Sequence, residues 1–137
     1  MSRARLGSAK GIVTFIVLVC LLVPAVAYAS SYWTSVSFCR GVLGSWRTYS
    51  GSNVRASLTA KSSQNQTYVI RLYRKTAWVS GPVKTSSACS STPSGYSSVR
   101  SFPGVGSGMY AFEFEKATDA QHNSIYITSN NVHLYNY

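Results

Sequence analysis

Five side chains in this sequence could move a proton at ordinary pH: His122, His133, Asp119, Glu113 and Glu115. Asp119 and His122 stand three residues apart in one polar stretch, close enough to touch, which would be the orienting half of a nucleophilic triad. The other half would be a serine held at the free imidazole nitrogen. No G-x-S-x-G occurs, and Gly106-Ser107-Gly108 belongs to a Pro/Gly run that reads as the corner of a turn. Serine is frequent enough here that one near a histidine is expected by chance. Asp119 and His122 are therefore assigned to an ordinary loop. A hydrolase remains the minor reading, under which His122→Ala would abolish an activity.

Glu113 and Glu115 invite a second test. At i and i+2 on a strand they share a face about 7 Å apart, within the range of a glycosidase pair. They oppose the aromatic residues Tyr110, Phe112 and Phe114, so they point to solvent or to a neighbouring strand. Arg71 and Lys75 occupy the equivalent face of another strong strand, and cross-strand ion pairs are the expected job. The scattered acids and two distant histidines lack ligand spacing for zinc or calcium, so no metal and no cofactor is expected. Asn65-Gln66-Thr67 matches a glycosylation sequon, which has meaning only in a eukaryotic secretory pathway.

Compartment follows from the N-terminus. Arg3, Arg5 and Lys10 precede an apolar run from Ile12 to Val23. Pro24 and the small-x-small Ala27-Tyr28-Ala29 follow it. Residues 1–29 read as a cleavable signal peptide, which puts Ser30 to Tyr137 outside the cytoplasm as one domain. The alternative is an uncleaved N-terminal anchor, since Ile12 to Ala29 approaches the length of a membrane span. Of three cysteines, Cys20 lies in the leader. Cys39 and Cys89 are then expected to form one disulfide, a staple worth about 4 kcal/mol in the chain-entropy model.

Beyond the leader, helix-period spacing is absent, and short Tyr/Val/Ile/Phe/Thr segments alternate with Ser/Gly/Pro/Asn punctuation. Strands are expected at Trp33 to Arg40, Val54 to Ala60, Thr67 to Lys75, Trp78 to Lys84, Tyr96 to Phe102, Met109 to Lys116 and within Ser124 to Tyr137. Leu43 to Asn53 reads as an irregular or short-strand crossing, Thr85 to Ser94 as a loop holding Cys89, and Ser124 to Tyr137 as a final strand or a hairpin with Asn130-Asn131 as its turn. Gly81-Pro82 marks a sheet edge. Trp33, Trp46 and Trp78 have the size to fill a sandwich interior. The fold class is all-β: a single antiparallel β-sandwich of about seven strands.

The run Phe102-Pro103-Gly104-Val105-Gly106-Ser107-Gly108-Met109-Tyr110-Ala111-Phe112 resembles the E–F corner of fibronectin type III and other immunoglobulin-like sandwiches. The resemblance implies that Tyr110 turns its hydroxyl back onto the backbone of the corner. Phe112 stands where antibody-type domains carry their second cysteine, so only the general architecture carries over. A fold of this kind implies no function by itself.

The formal charge is +10, with 13 Lys+Arg against 3 Asp+Glu. Such a balance either draws the domain to polyanions outside the cell or merely keeps it soluble. Tyrosine is abundant, and Arg71-Leu72-Tyr73-Arg74-Lys75 sets an outward aromatic among cations. Arg71, Tyr73, Arg74 and Lys75 are the first candidate contact. The expected function is a secreted, non-catalytic binding module for an anionic envelope, a glycan or a protein partner, with nucleic acid disfavoured. A membrane would be met only as a peripheral surface or through the uncleaved leader. An antimicrobial or toxin-like protein acting on a cell envelope is the alternative. A protease inhibitor presenting Thr85 to Ser94 is a more distant one.

Overall fold

Alternation of buried and exposed residues divides the chain into two sheets with one core between them. The computed structural model describes residues 30–77, 81–117 and 123–137. These form β1 (Ser31–Phe38), β2 (Gly41–Leu43), β3 (Arg47–Tyr49), β4 (Val54–Ala60), β5 (Gln66–Arg74), β6 (Lys84–Thr85), β7 (Cys89–Ser91), β8 (Tyr96–Phe102), β9 (Gly108–Lys116) and β10 (Ile127–Asn136), with no helix among the described residues. The first sheet runs β1-β10-β4-β8. The second runs β2-β9-β5-β6, with β3 also on β9 and β7 also on β5. Every strand pair is antiparallel. The fold is all-β and arranged as a β-sandwich.

Each long strand sends every second residue inward, as the pleat requires. Val54, Ala56 and Leu58 of β4 and Val132 and Leu134 of β10 enter from the first sheet. Tyr68, Ile70 and Leu72 of β5 and Tyr110, Phe112 and Phe114 of β9 enter from the second. Phe102 crosses the gap to meet Phe112 edge-on at 5.7 Å, and Tyr49 meets Phe112 and Tyr110 at 6.1 and 6.2 Å. Such edge-to-face pairs add about 0.5–1.5 kcal/mol each beyond their area. Of the two readings of the crossing between β1 and β4, short strands hold: β2 and β3 both pair with β9.

The corner before β9 is held by tyrosine. The Tyr110 hydroxyl donates to the carbonyls of Val105 and Gly106, the latter at 2.8 Å. Gly104 and Gly106 have φ of +67° and +80°, which only glycine adopts without strain. Ser52 and Asn53 tie the same corner to the start of β4 through the amides of Val105 and Gly104, both at 2.8 Å.

Strand order departs from the immunoglobulin arrangement, in which the last strand lies beside the tyrosine-bearing strand F. Here β9 carries Tyr110 but pairs with β2, β3 and β5. The last strand, β10, sits in the opposite sheet between β1 and β4.

Three expectations are corrected. Cys39 and Cys89 are both free thiols. Cys39 precedes Arg40, whose carbonyl accepts the amide of Lys116, while Cys89 lies opposite Tyr68, which in turn lies opposite Lys116. Strands β9 and β5 thus intervene. Three strand spacings of about 4.8 Å far exceed the reach of a disulfide. The segment expected as an open loop pinned by that bridge is instead tied into the second sheet as β6 and β7. Asn130-Asn131 is no hairpin turn, because β10 runs unbroken through it and no residue other than glycine has positive φ among those described. A two-residue type I′ turn would need positive φ at both positions. The signal-peptide expectation, Trp78 and the Asp119–His122 pair lie outside the described residues.

Two measurements test this packing. Tyr110→Phe should keep the fold and lower its stability by about 1–2 kcal/mol, read as a shifted urea midpoint with unchanged m. Burial raises the Tyr49 and Tyr68 phenols well above their ordinary value of 10. The folded state then keeps protons that the unfolded chain loses above about pH 10. Their stabilisation is complete below that pH and should decline above it by about 1.4 kcal/mol per pH unit for each tyrosine, seen as a falling Tm.

Candidate functional site

The outer face of the first sheet carries Trp33 and Tyr137, two of the exposed aromatic residues, with half-exposed His133 and Tyr135 between them. In β1 the inward set contains Val36 and Phe38, so the same alternation turns Trp33, Ser35 and Ser37 outward. Trp33 is 66% exposed, which corrects the expectation that it fills the core. Trp46 is only half-buried. Across the ladder Trp33 faces His133, and Ser31 faces Tyr135. On the other side of β10, His133 faces Ser57 and Tyr135 faces Arg55.

These pairings make a continuous run of rings. The indole of Trp33 stacks on His133 with centroids 4.1 Å apart and planes 1° from parallel. His133 stacks in turn on Tyr135 at 4.2 Å. The Arg55 guanidinium lies 5.8 Å from the Tyr135 ring centre and 3.8 Å from that of Tyr137, a close cation–π contact. Arg55 Nε donates to Ser101 Oγ at 2.9 Å, and hydrogen bonding to Tyr135 raises its pKa further, so it is permanently cationic. A half-buried arginine held at both ends in this way presents its charge with little entropy left to lose.

The other end of the face is polar and concave. Between Ser57↔His133 and the bridge Lys61↔Thr128, β10 uses one residue more than β4. Between Thr34↔Val132 and Val36↔Ser129 it uses one more than β1. The extra residue is a β-bulge at Asn130-Asn131. Asn131 Oδ1 accepts the Thr59 amide at 3.0 Å and the Ser129 hydroxyl at 2.9 Å, satisfying a donor that the bulge strips of its backbone partner. Above it lies a hollow of about 590 Å³, whose walls include Ser35, Ser37, Thr59, Lys61, Thr128 and Asn131.

One contact on this face has the form of a catalytic pair: Ser31 Oγ lies 2.7 Å from His133 Nε2. An activated serine also needs a group to orient the imidazole and donors for an oxyanion. Both described glutamates lie on β9 in the opposite sheet, bound to Arg71. With rings packed at 4.1 and 4.2 Å on the imidazole, the serine contact fixes His133 within the stack.

The basic segment expected to make contact is divided. Arg71 forms ion pairs with Glu113, at 3.6 Å, and with Glu115. Tyr73 donates to Glu113 Oε2 at 2.9 Å, a bond that raises the phenol's pKa. Arg74 reaches back to the Ser107 carbonyl at 3.1 Å and lies over the Tyr110 ring, 5.7 Å from its centre. Only Lys75 extends into solvent without a side-chain contact of this kind, its amide donating to Met109. Arg71, Tyr73 and Arg74 therefore brace strands and a corner. Cys89 is buried, and desolvation raises its thiol's pKa, which suppresses the thiolate.

The signal for the aromatic face was present in the sequence. The parity of β1 set by Val36 and Phe38 already puts Trp33 outside. What the sequence does not carry is the partner strand: only the placement of β10 beside β1 brings residue 133 against residue 33. No family model, curated protein or solved structure matches the chain.

Asn131→Ala should cost about 1–2 kcal/mol, because the Thr59 amide loses its acceptor. Urea unfolding would give the loss, and the Thr59 amide should become the fastest-exchanging proton of β4.

Proposed function

We propose that this chain is a secreted, non-catalytic binding module, and that the outer face of the first sheet is its contact surface. The observation that carries the reading is the Trp33–His133–Tyr135 stack continued by Arg55 and Tyr137. Large aromatic side chains supply contact area at low entropy cost, and here they are pre-ordered by one another. A contiguous exposed aromatic strip also differs from scattered surface rings, which need no explanation. The signal-like leader supports an extracellular target, and the scarcity of carboxylates supports one of negative or neutral character.

Relative to the sequence reading, the contact moves from Arg71–Lys75 to the opposite sheet. The reason is electrostatic: Arg71 is already paired with two glutamates, whereas Arg55 has only neutral partners among the contacts described.

The test is capture of the purified, folded protein on cell-wall, extracellular-matrix and anionic-vesicle preparations. At least one should retain the wild type. Trp33→Ala and Arg55→Ala should each cut retention about tenfold without lowering Tm by more than a few degrees, while Arg71→Ala leaves retention intact. Equal loss with Arg71→Ala, or no retention on any surface, would defeat the proposal.

A further inference from the structure

We infer that the ligand of this face is a carboxylate-bearing glycan chain, laid along β4 from the aromatic strip to the hydroxyl-lined hollow. The inference rests on the reading of that face as the contact surface and specifies its occupant.

Three features point to a sugar polymer. First, the strip offers aromatic surface next to hydroxyl and amide groups. A pyranose ring needs both, because its axial C–H bonds form an apolar, weakly positive face while its rim is all hydroxyl. The negative face of an aromatic ring attracts the former; with both faces of His133 stacked and Arg55 against Tyr135, the faces on offer are those of the end rings, Trp33 and Tyr137. Ser, Thr and Asn groups serve as donor or acceptor to the hydroxyl rim. Second, the two surfaces follow one another along a single strand. Outward positions Arg55, Ser57, Thr59 and Lys61 succeed each other on β4 and its extension, covering about 20 Å at about 3.3 Å per residue. A linear chain of several rings matches that track, whereas a compact small molecule would fill only the hollow. Third, the face is open and shallow, and an extended polymer can lie across it without threading its ends.

Charge selects the acidic class. Arg55 stands near one end of the track and Lys61 at the other, lining the hollow. No Asp or Glu side chain lies on this face among the described residues, both glutamates being on β9. Two cations about 20 Å apart at about 3.3 Å per residue, with neutral hydroxyls between, complement carboxylates spaced along a uronic-acid polymer better than the dense sulfate of a polyanion such as dextran sulfate. A bilayer surface fits less well, since Trp33, Val99 and Tyr137 are exposed on this face but the hollow between β1, β4 and β10 is lined mainly by hydroxyl and amide groups.

The experiment is titration calorimetry of the full chain with four probes: hyaluronan oligosaccharides, alginate oligosaccharides, chitohexaose and dextran sulfate. At least one carboxylated probe should bind at least tenfold more tightly than chitohexaose or dextran sulfate. Trp33→Ala and Tyr137→Ala should each weaken it about tenfold. Lys61→Ala should weaken it less and flatten its salt dependence, and all three variants should unfold within a few degrees of the wild type. Binding of dextran sulfate alone, insensitive to Trp33→Ala and lost in salt, would overturn the inference in favour of bulk charge. Binding of chitohexaose as tight as that of the acidic probes would overturn the charge assignment, and silence with all four would overturn the inference entirely. Retention on an envelope preparation that survives periodate destruction of its sugars would likewise overturn the glycan while leaving the binding-module proposal standing. Loss of retention from every preparation would remove both.

Discussion

One extra residue in β10 sets the phase of the face that carries the aromatic strip and the hollow. In a strand the side-chain period is two, so a single insertion exchanges the buried and exposed sets beyond it. Ile127 and Ser129 point inward before the bulge, and Val132 and Leu134 point inward after it. Without the insertion at Asn130-Asn131, residues 131, 133 and 135 would enter the core and Val132 and Leu134 would face water. The imidazole and phenol would then be buried and Trp33 would have nothing to stack on. The same irregularity parts β10 from β1 and β4 and opens the hollow. Asn131 makes the bulge tenable by standing in for the backbone acceptor that Thr59 has lost.

The two sheets divide the work. The second sheet uses its charged residues on itself: Arg71 bridges Glu113 and Glu115, Tyr73 joins Glu113, and Arg74 braces the corner over Tyr110. These contacts belong to the strand pair β5–β9 and to the turn feeding β9. The first sheet leaves its ordered aromatics and Arg55 outside. Both described glutamates lie on the second sheet, so no Asp or Glu side chain among the described residues lies on the first; under the proposed function this asymmetry would direct an anionic chain to that face.

Much of the fold was legible in residue order. The alternation in Val54–Ala60, in Tyr68, Ile70 and Leu72, and in Tyr110, Phe112 and Phe114 identifies those strands and their buried faces, and the Arg71–Glu113 and Arg71–Glu115 pairs follow from opposed outward positions. Local pattern does not say which strand lies beside which. Two cysteines look like a staple until β9 and β5 are found between them. Likewise Asn130-Asn131 looks like a turn because asparagine tolerates one, whereas pairing on both flanks of β10 keeps the strand continuous through a bulge. The aromatic strip is a long-range product: residues 33, 55, 133 and 137 meet only through sheet order. The cluster Arg71–Lys75 was conspicuous because its members adjoin in sequence, and a strand sends adjacent residues to opposite faces.

The most direct measurement is an amide and side-chain NMR map of the labelled protein titrated with hyaluronan oligosaccharides. Shift changes should be confined to the Trp33 indole, His133, Tyr135 and Tyr137 and to the Arg55-to-Lys61 track, with β5 and β9 unmoved. Changes centred on Arg71–Lys75, or saturating ligand with an unperturbed first sheet, would contradict it.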